Sequence, residues 1–347
     1  MAQQPLTVPP LVSPRARLGA AGRSALRFQS LFGLLAILLV SALVSPIRDG
    51  HIVFLDPENL LNIVRFASEN GIIAVGMTLV ILTGGIDLSV GALLALCAVG
   101  AAACLMRYGL NTAETVLVVL GLGACLGTVN GLVTTKLGIQ SFITTLAMLS
   151  VARGIASLWS GGYAIPLAFG TARGEAPPLF KSLFGGQIEI GAWAIPGPLF
   201  YFAGTGLLAT FLLRRMGFGR HIYAVGGNET AARLSGVRTD RVRVVVFALS
   251  GLLASLAALL HIALVNQGSH IDGNGYELNA IAAVVIGGTR LSGGAGTVLG
   301  SMVGALILSI LDNILGLRNI QSEYQMILKG VIIVLAVVVQ RQNARSA

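Results

Sequence analysis

Few side chains in this sequence could do chemistry, and the best placed of them interrupt an apolar run. In "VILTGGIDLSVGALLAL", Val80 to Leu96, hydrophobic residues give way to Thr83, Gly84, Gly85, Asp87 and Ser89, then resume at once. The glycine pair permits a turn, and Asp87 or Ser89 can cap the following helix by accepting its free N–H groups. Backbone within hydrocarbon must satisfy its own hydrogen bonds, so a break survives only where protein or a water-filled cavity surrounds it. Two readings follow: a helix cap in a tight re-entrant turn, or a break lining a polar path between discontinuous helices. They are compatible, because a cap can also hold the wall of a path.

A second interruption has the same rhythm. "VVIGGTRLSGGAGTVLGSMVGALIL", Val284 to Leu308, runs apolar, then Gly287, Gly288 and Thr289, then a polar residue, Leu-Ser with Ser292, glycines, and apolar again. Set beside "TGGIDLSVGALLAL" it reads as a weak internal repeat. Paired glycine-interrupted segments in two halves of a chain point to a transport path. Both breaks follow segments running in the same direction, so a parallel repeat is expected.

The elements that must position these residues are membrane helices. Of 347 residues, 55% are hydrophobic and 11% charged, with a mean hydropathy of +0.84. Soluble domains carry about 25% charged residues, so most of this chain has no aqueous surface to solvate. The net charge of +9 is spread in short clusters between apolar runs, which orient membrane segments rather than bind nucleic acid. Cys97, Cys104 and Cys125 lie in apolar segments without paired spacing and read as small buried hydrophobes. His51, His221, His261 and His270 are scattered, and no metal-binding set emerges from them. The polar start of the chain, with Arg15, Arg17, Arg23 and Arg27, is too long for the basic region of a signal peptide and reads as a cytoplasmic tail before a retained first span.

The expected fold is all-α, a polytopic integral membrane bundle of about ten segments including broken or re-entrant helices. These are 31–46, 61–83, 88–106, 115–135, 141–159, 197–213, 244–266, 278–289, 295–316 and 324–340. The division is a tail at 1–30, a transmembrane domain at 31–340 and a second tail at 341–347. The eighth segment is too short to cross a bilayer core of about 30 Å as a straight helix. With both termini cytoplasmic, 15 of the 23 basic residues fall on inner segments, as the positive-inside rule requires. Arg153, inside the fifth segment, either lines a cavity or snorkels to the nearby outer end. "GLGACLGTVNGL", Gly121 to Leu132, has small residues at a spacing that lets helices approach closely; no strand precedes it, so it is not a nucleotide motif.

The inner loop Arg214 to Arg243 is long, basic and patterned. Within it "NETAARLSG" reads as a short helix, capped by Asn228, with Glu229 in the first turn, Arg233 in the last, and Gly236 as its stop. A short ordered helix on the cytoplasmic face suggests docking to a partner. None of Lys136, Lys181 and Lys329 has the glycine spacing of a phosphate-binding loop, so ATP, if used, binds elsewhere.

"GMTLVILTGGIDLSVGALLAL", "AVGGNETAARLSGV", "GYELNAIAAVVIGGTRLSGGAGTVLGSMVGALIL" and "YQMILKGVIIVLAVVVQ" closely resemble the permease subunits of bacterial ABC importers for monosaccharides of the ribose, xylose and arabinose type. The resemblance spans roughly residues 30 to 340. It implies a non-enzymatic subunit of the bacterial inner membrane that binds no cofactor of its own. Its partners would be a second permease copy or paralogue, an ATP-binding subunit (two copies or a fused double domain) using ATP and Mg, and a periplasmic or lipoprotein sugar-binding protein. On matching positions, Asn228, Glu229, Ala231, Ala232, Arg233, Ser235 and Gly236 would form the coupling helix. Thr83, Gly84, Gly85, Asp87 and Ser89, with Gly287, Gly288 and Ser292, would lie along the translocation path, and outer loops including "NQGSHIDGNGYELN" would face the binding protein.

Related permeases handle autoinducer-like sugars, nucleosides and branched-chain amino acids, and the sequence does not choose among these solutes. An ion-coupled secondary transporter would call on intramembrane acids, of which Asp87 is a candidate and Asp312 a weaker one. That reading leaves the coupling-type loop without a role. A membrane-embedded enzyme would need clustered catalytic groups, and none is visible.

Overall fold

The computed structural model describes residues 15–48, 50–172, 174–191 and 193–345. Residues 1–14 of the expected first tail and 346–347 of the second lie outside them, as does Arg173 in the long outer loop. The described chain carries thirteen α-helices: α1 Arg15–Val44, α2 Pro57–Leu82, α3 Val90–Met106, α4 Thr112–Lys136, α5 Ser141–Ser160, α6 Pro178–Gly185, α7 Gly197–Arg215, α8 Gly217–Gly227, α9 Glu229–Leu234, α10 Thr239–Val265, α11 Tyr276–Ile286, α12 Val298–Leu317 and α13 Ser322–Arg345. Three antiparallel ribbons connect them: β1 Ile47–Arg48 with β2 His51–Ile52, β3 Ile165–Pro166 with β6 Gln267–Gly268, and β4 Gln187–Ile190 with β5 Trp193–Pro196.

Every expected apolar segment falls on a helix, but the boundaries differ instructively. The first helix begins at Arg15, so the expected tail continues into the first apolar segment without a break. The second begins at Pro57, where proline's fixed φ and missing N–H suit a first turn. Among the described residues five helices, α2, α4, α5, α10 and α12, are long and apolar enough to cross a membrane.

Burial sorts them. Within its most apolar window α2 is 78% buried and α10 is 72%, against 28% for α4 and 22% for α5. Every residue of α3 from Val90 to Leu105 is buried, as expected of a helix that is apolar all round. The core is therefore α2, α3 and α10, with α4 and α5 on the outside. Cys97 and Cys104 are buried in it, whereas Cys125 is exposed on α4, unlike the buried hydrophobe its apolar surroundings suggested.

The α4–α10 seam explains one glycine run. Gly123, Gly127 and Gly131 repeat every four residues and so share one face. A Cβ on Gly131 would lie 2.6 Å from Val244 Cα, one on Gly123 would lie 2.5 Å from the Ser255 side chain, and one on Gly127 would overlap the Phe247 carbonyl. Their role is close helix approach, as the spacing predicts.

The ribbon of β3 and β6 joins the α5–α6 and α10–α11 connections at one end of the bundle. At the same end Lys181 of α6 donates to Asn266 Oδ1 at 2.7 Å and also to the Ala263 carbonyl. Burial lowers the Lys181 pKa. The opposite end carries α8, α9 and the turns after α2 and α11.

The short eighth segment is accounted for by what precedes it. After β6 the chain descends along α3 instead of crossing outside the bundle. Gly268 packs on Ala98 and Ala102, and Gly273, five residues later, packs on Gly91 and Leu94. Helix α11, 11 residues long and so about 17 Å, starts inside the bundle and has only the remaining depth to cover.

Candidate functional site

The first break is closed at the end of α2 by Gly84, whose φ of +78 favours glycine. Gly84 N donates to Ile81 O at 2.8 Å, and Gly85 N and Thr83 Oγ1 donate to Val80 O at 3.1 and 2.8 Å. The extended residues that follow lack a helical ladder, and α5 supplies one from its side chains. Ile86 N donates to Ser141 Oγ at 3.2 Å and Leu88 N to Thr145 Oγ1 at 3.0 Å.

Asp87 is fully buried behind this turn. Its Oδ1 accepts from Ser89 N at 3.0 Å and Ser89 Oγ at 2.6 Å, while Oδ2 accepts from Ser250 Oγ of α10 at 2.9 Å. Asn130 of α4 donates to Ser89 Oγ at 2.9 Å. Ser89 is the N-cap residue of α3, yet its hydroxyl accepts no helix N–H and is turned to Asp87. Of the two expected caps, Asp87 does accept a backbone N–H at the start of α3, that of Ser89, and it belongs to a buried network that pins this end to α4 and α10.

The second break is built alike. Helix α11 ends on Gly287 and Gly288, the latter at φ +87, and Arg290 N donates to Ala295 O at 2.8 Å to close a tight loop. Gly294 N then donates to Leu82 O at 3.0 Å, so the two breaks touch. Gly226 of α8 sits between them: a Cβ there would overlap Leu82 O and lie 2.5 Å from Gly294 N. Tyr223, one turn earlier in α8, donates its hydroxyl to Gly296 O at 2.9 Å. Burial raises the pKa of this phenol, which keeps it a donor.

Only Asn228 separates α8 from α9. Its Oδ1 accepts from Ala231 N at 2.9 Å, the capping expected of it, and Gly236 at φ +86 ends the turn. Glu229 bridges Arg233 at 3.0 Å and Arg243 of α10 at 2.8 Å, and Arg233 also reaches Asp240 at 3.6 Å. Ala232 is turned in against the bundle. Leu234, absent from the expected docking set, is 84% exposed in the most polar part of the chain.

Between the first break, the α4–α5 turn and these ion pairs lies a cavity of about 550 Å³, within the usual range of about 300–1,000 Å³ for small-ligand sites. It is lined by Thr83, Gly84 and Gly85 on one side and Glu229, Arg233 and Arg243 on the other. The residues expected on the path therefore divide. Thr83, Gly84 and Gly85 face the cavity, Asp87 and Ser89 stand behind its wall, Gly287 packs on Gly300 of α12, and Gly288 and Ser292 are exposed.

The bundle also holds a polar cluster that sequence reasoning missed. His261 of α10 places Nδ1 2.8 Å from Glu69 Oε1 of α2 and Nε2 3.6 Å from Asp272 Oδ2. Arg153 of α5, half-buried, donates to the carbonyls of His270 and Asp272 at 2.6 and 2.7 Å and so ties α5 to the segment before α11. One acid beyond the first turn of α2, Glu69, and a lone histidine in α10 were the available signals. Asp312, on the other hand, pairs with Lys329 at 2.9 Å. The segment "NQGSHIDGNGYELN" is not wholly an outward loop, since Ser269 and the Asp272 side chain are turned inward.

An apolar helical bundle with two broken helices in contact and an ordered polar helix seated on them has the architecture of a transporter's membrane subunit. Residues 59–337 match the family described as branched-chain amino acid transport system / permease component, and the chain belongs to that family. It is 43% identical over 310 residues to the ribose import permease of Escherichia coli, covering 89% of this chain and 93% of that one. Identity to the ribose import permease of Bacillus subtilis is 39% over 312 residues, covering 90% and 92%. The xylose transport system permease of Haemophilus influenzae is 32% identical over 361 residues, covering 90% and 96%. No solved structure matches the chain.

Proposed function

We propose that this chain is the membrane-spanning permease subunit of an ATP-driven importer in the bacterial inner membrane, forming the path for a monosaccharide of the ribose type. The observation that carries the reading is α8: its Gly226 lies against both helix breaks, while the next element, α9, presents Leu234 outward. A partner that moves α9 therefore moves the floor of the path. With ten segments and both termini inside, α9 faces the cytoplasm, where an ATP-binding subunit docks, and the β3–β6 ribbon faces a sugar-binding protein outside.

Transport then follows from a shift between states. A ligand moves an equilibrium only through its different affinity for the two states. ATP drawing its subunits together pulls α9, and loaded binding protein favours the state that is open outward. Affinity resides in the external receptor, so the path needs few charged groups. The test is uptake of labelled ribose by membranes holding the assembled importer, in competition with xylose, arabinose, nucleosides and branched-chain amino acids. Competition by pentoses alone supports the reading; competition by nucleosides or amino acids alone reassigns the solute.

A further inference from the structure

We propose that residues 269–275 are a movable wall of the path, latched shut by His261 held between Glu69 and Asp272. This rests on the permease reading for its purpose and for the outward placing of the β3–β6 end that the test uses. The segment has the marks of a hinged piece. It leaves α10 at Asn266 with φ +55, enters α11 at Gly275 with φ +79, and carries no regular structure between β6 and α11. It is two-faced: Ser269 and Gly273 are buried against the core, while Ile271 and Asn274 are exposed.

Its contact with α3 is made through Gly268 and Gly273, which bury little apolar side chain. The specific ties are polar instead. Arg153 of α5 holds the backbone through the His270 and Asp272 carbonyls, and among the described residues the side-chain tie to the Asp272 carboxylate from another element is His261, which joins it to α2. Within the segment that carboxylate also accepts from Ser269 N at 2.7 Å, and Tyr276 stands edge-on to the imidazole with ring centroids 6.5 Å apart. Buried ionisable groups are costly to desolvate, and apolar residues of the same volume often serve stability equally well. A two-state contact is the use that repays them.

The same helix connects this latch to the docking end. Arg243, which binds Glu229, Ser250, which binds Asp87, and His261 lie on one stripe of α10. Arg243 and His261 are 18 residues apart, which at 3.6 residues per turn is five whole turns, a rise of about 27 Å. A shift of α9 that tugs Arg243 is thus carried along one face of one helix to the imidazole. His261 acts as a positioning residue, setting where residues 269–275 stand.

The experiment uses Ser269→Cys in the full-length chain in intact cells, labelled from outside with a membrane-impermeant maleimide. Native Cys97, fully buried on α3, is kept as the reporter of global fold, and Cys104 and Cys125 are replaced by alanine. Glu69→Gln and His261→Gln should each speed labelling at position 269 at least 5-fold while Cys97 stays unreactive; Asp312→Asn, at the half-buried pair with Lys329 of α13, should leave it unchanged. Equal labelling at 269 in all variants, or labelling of Cys97 together with 269, overturns the latch. Failure of the permease reading is separately visible, as absence of ATP-driven uptake in the wild type whatever the labelling rates.

Discussion

Gly294 donates its backbone N–H to the carbonyl of Leu82 at 3.0 Å, stitching together two interrupted helices 212 residues apart in the chain (294 less 82). Leu82 O is an orphan carbonyl at the end of α2, and the Gly294 N–H, in the loop between α11 and α12, satisfies it where water is scarce. The junction admits α8 only because residue 226 has no side chain.

Gly226→Ala should therefore prise the breaks apart. Overpacking against backbone costs about 1–3 kcal/mol, so the variant should fold with a lowered Tm and lose most of its transport. Gly84→Ala tests something different, since open space surrounds its Cβ, with Ser292 O at 3.7 Å. Its cost is the left-handed backbone alone, about 1–2 kcal/mol, and Gly84→Asn should recover part of it. Thermal unfolding in detergent alongside uptake separates the two effects.

Asp87→Ala should be worse than Asp87→Asn. Alanine leaves the Ser89 and Ser250 hydroxyls without their acceptor, and each orphaned buried group costs about 1–3 kcal/mol. Asparagine keeps one acceptor oxygen. A double-mutant cycle of Asp87→Asn with Ser250→Ala should show coupling of about 0.5–3 kcal/mol, the range for residues in direct contact. Additive effects in thermal unfolding would mean the 2.9 Å contact carries no energy.

Gly127→Val should block assembly of the α4–α10 seam outright, because the obstacle is the Phe247 backbone, not a side chain that can swing away. Gly121→Val, with nothing within 4 Å of its Cβ, should be tolerated. Expression and monodispersity in mild detergent decide between them.

Arg243→Gln removes a partly exposed ion pair, worth about 1 kcal/mol or less in stability. Because Arg243 ties α9 to α10, transport should fall far more than Tm. A parallel fall in both would mean the pair is merely structural.

The elements were legible where one physical rule dominated. The ten apolar segments, the Asn228 cap and the Gly-rich seam follow from hydrophobic length, capping chemistry and close packing, each readable within a single stretch. Pairwise meetings between distant stretches were not. Nothing in "ASENGII" announces that Glu69 meets His261, and nothing in "IDLSV" announces that Asn130 and Ser250 arrive from α4 and α10 to join Asp87 and Ser89. Leu234 escaped notice for a related reason: a leucine in a helical pattern reads as core, and only the turn of α9 that buries Ala232 sends Leu234 outward.

The central claim is that α9 docks on an ATP-binding subunit, and Leu234 tests it most directly. The chain would be purified in mild detergent from its native membrane as wild type, Leu234→Glu, Glu229→Arg and Tyr163→Glu, with co-purifying proteins identified by mass spectrometry. Tyr163, 81% exposed in the connection between α5 and α6 at the opposite end of the bundle, controls for an added exposed charge. An ATP-binding subunit recovered with the wild type and Tyr163→Glu, and lost with Leu234→Glu and Glu229→Arg, is the predicted result. Equal recovery with all four, or a chain that comes out alone and transports on an ion gradient without ATP, would contradict it.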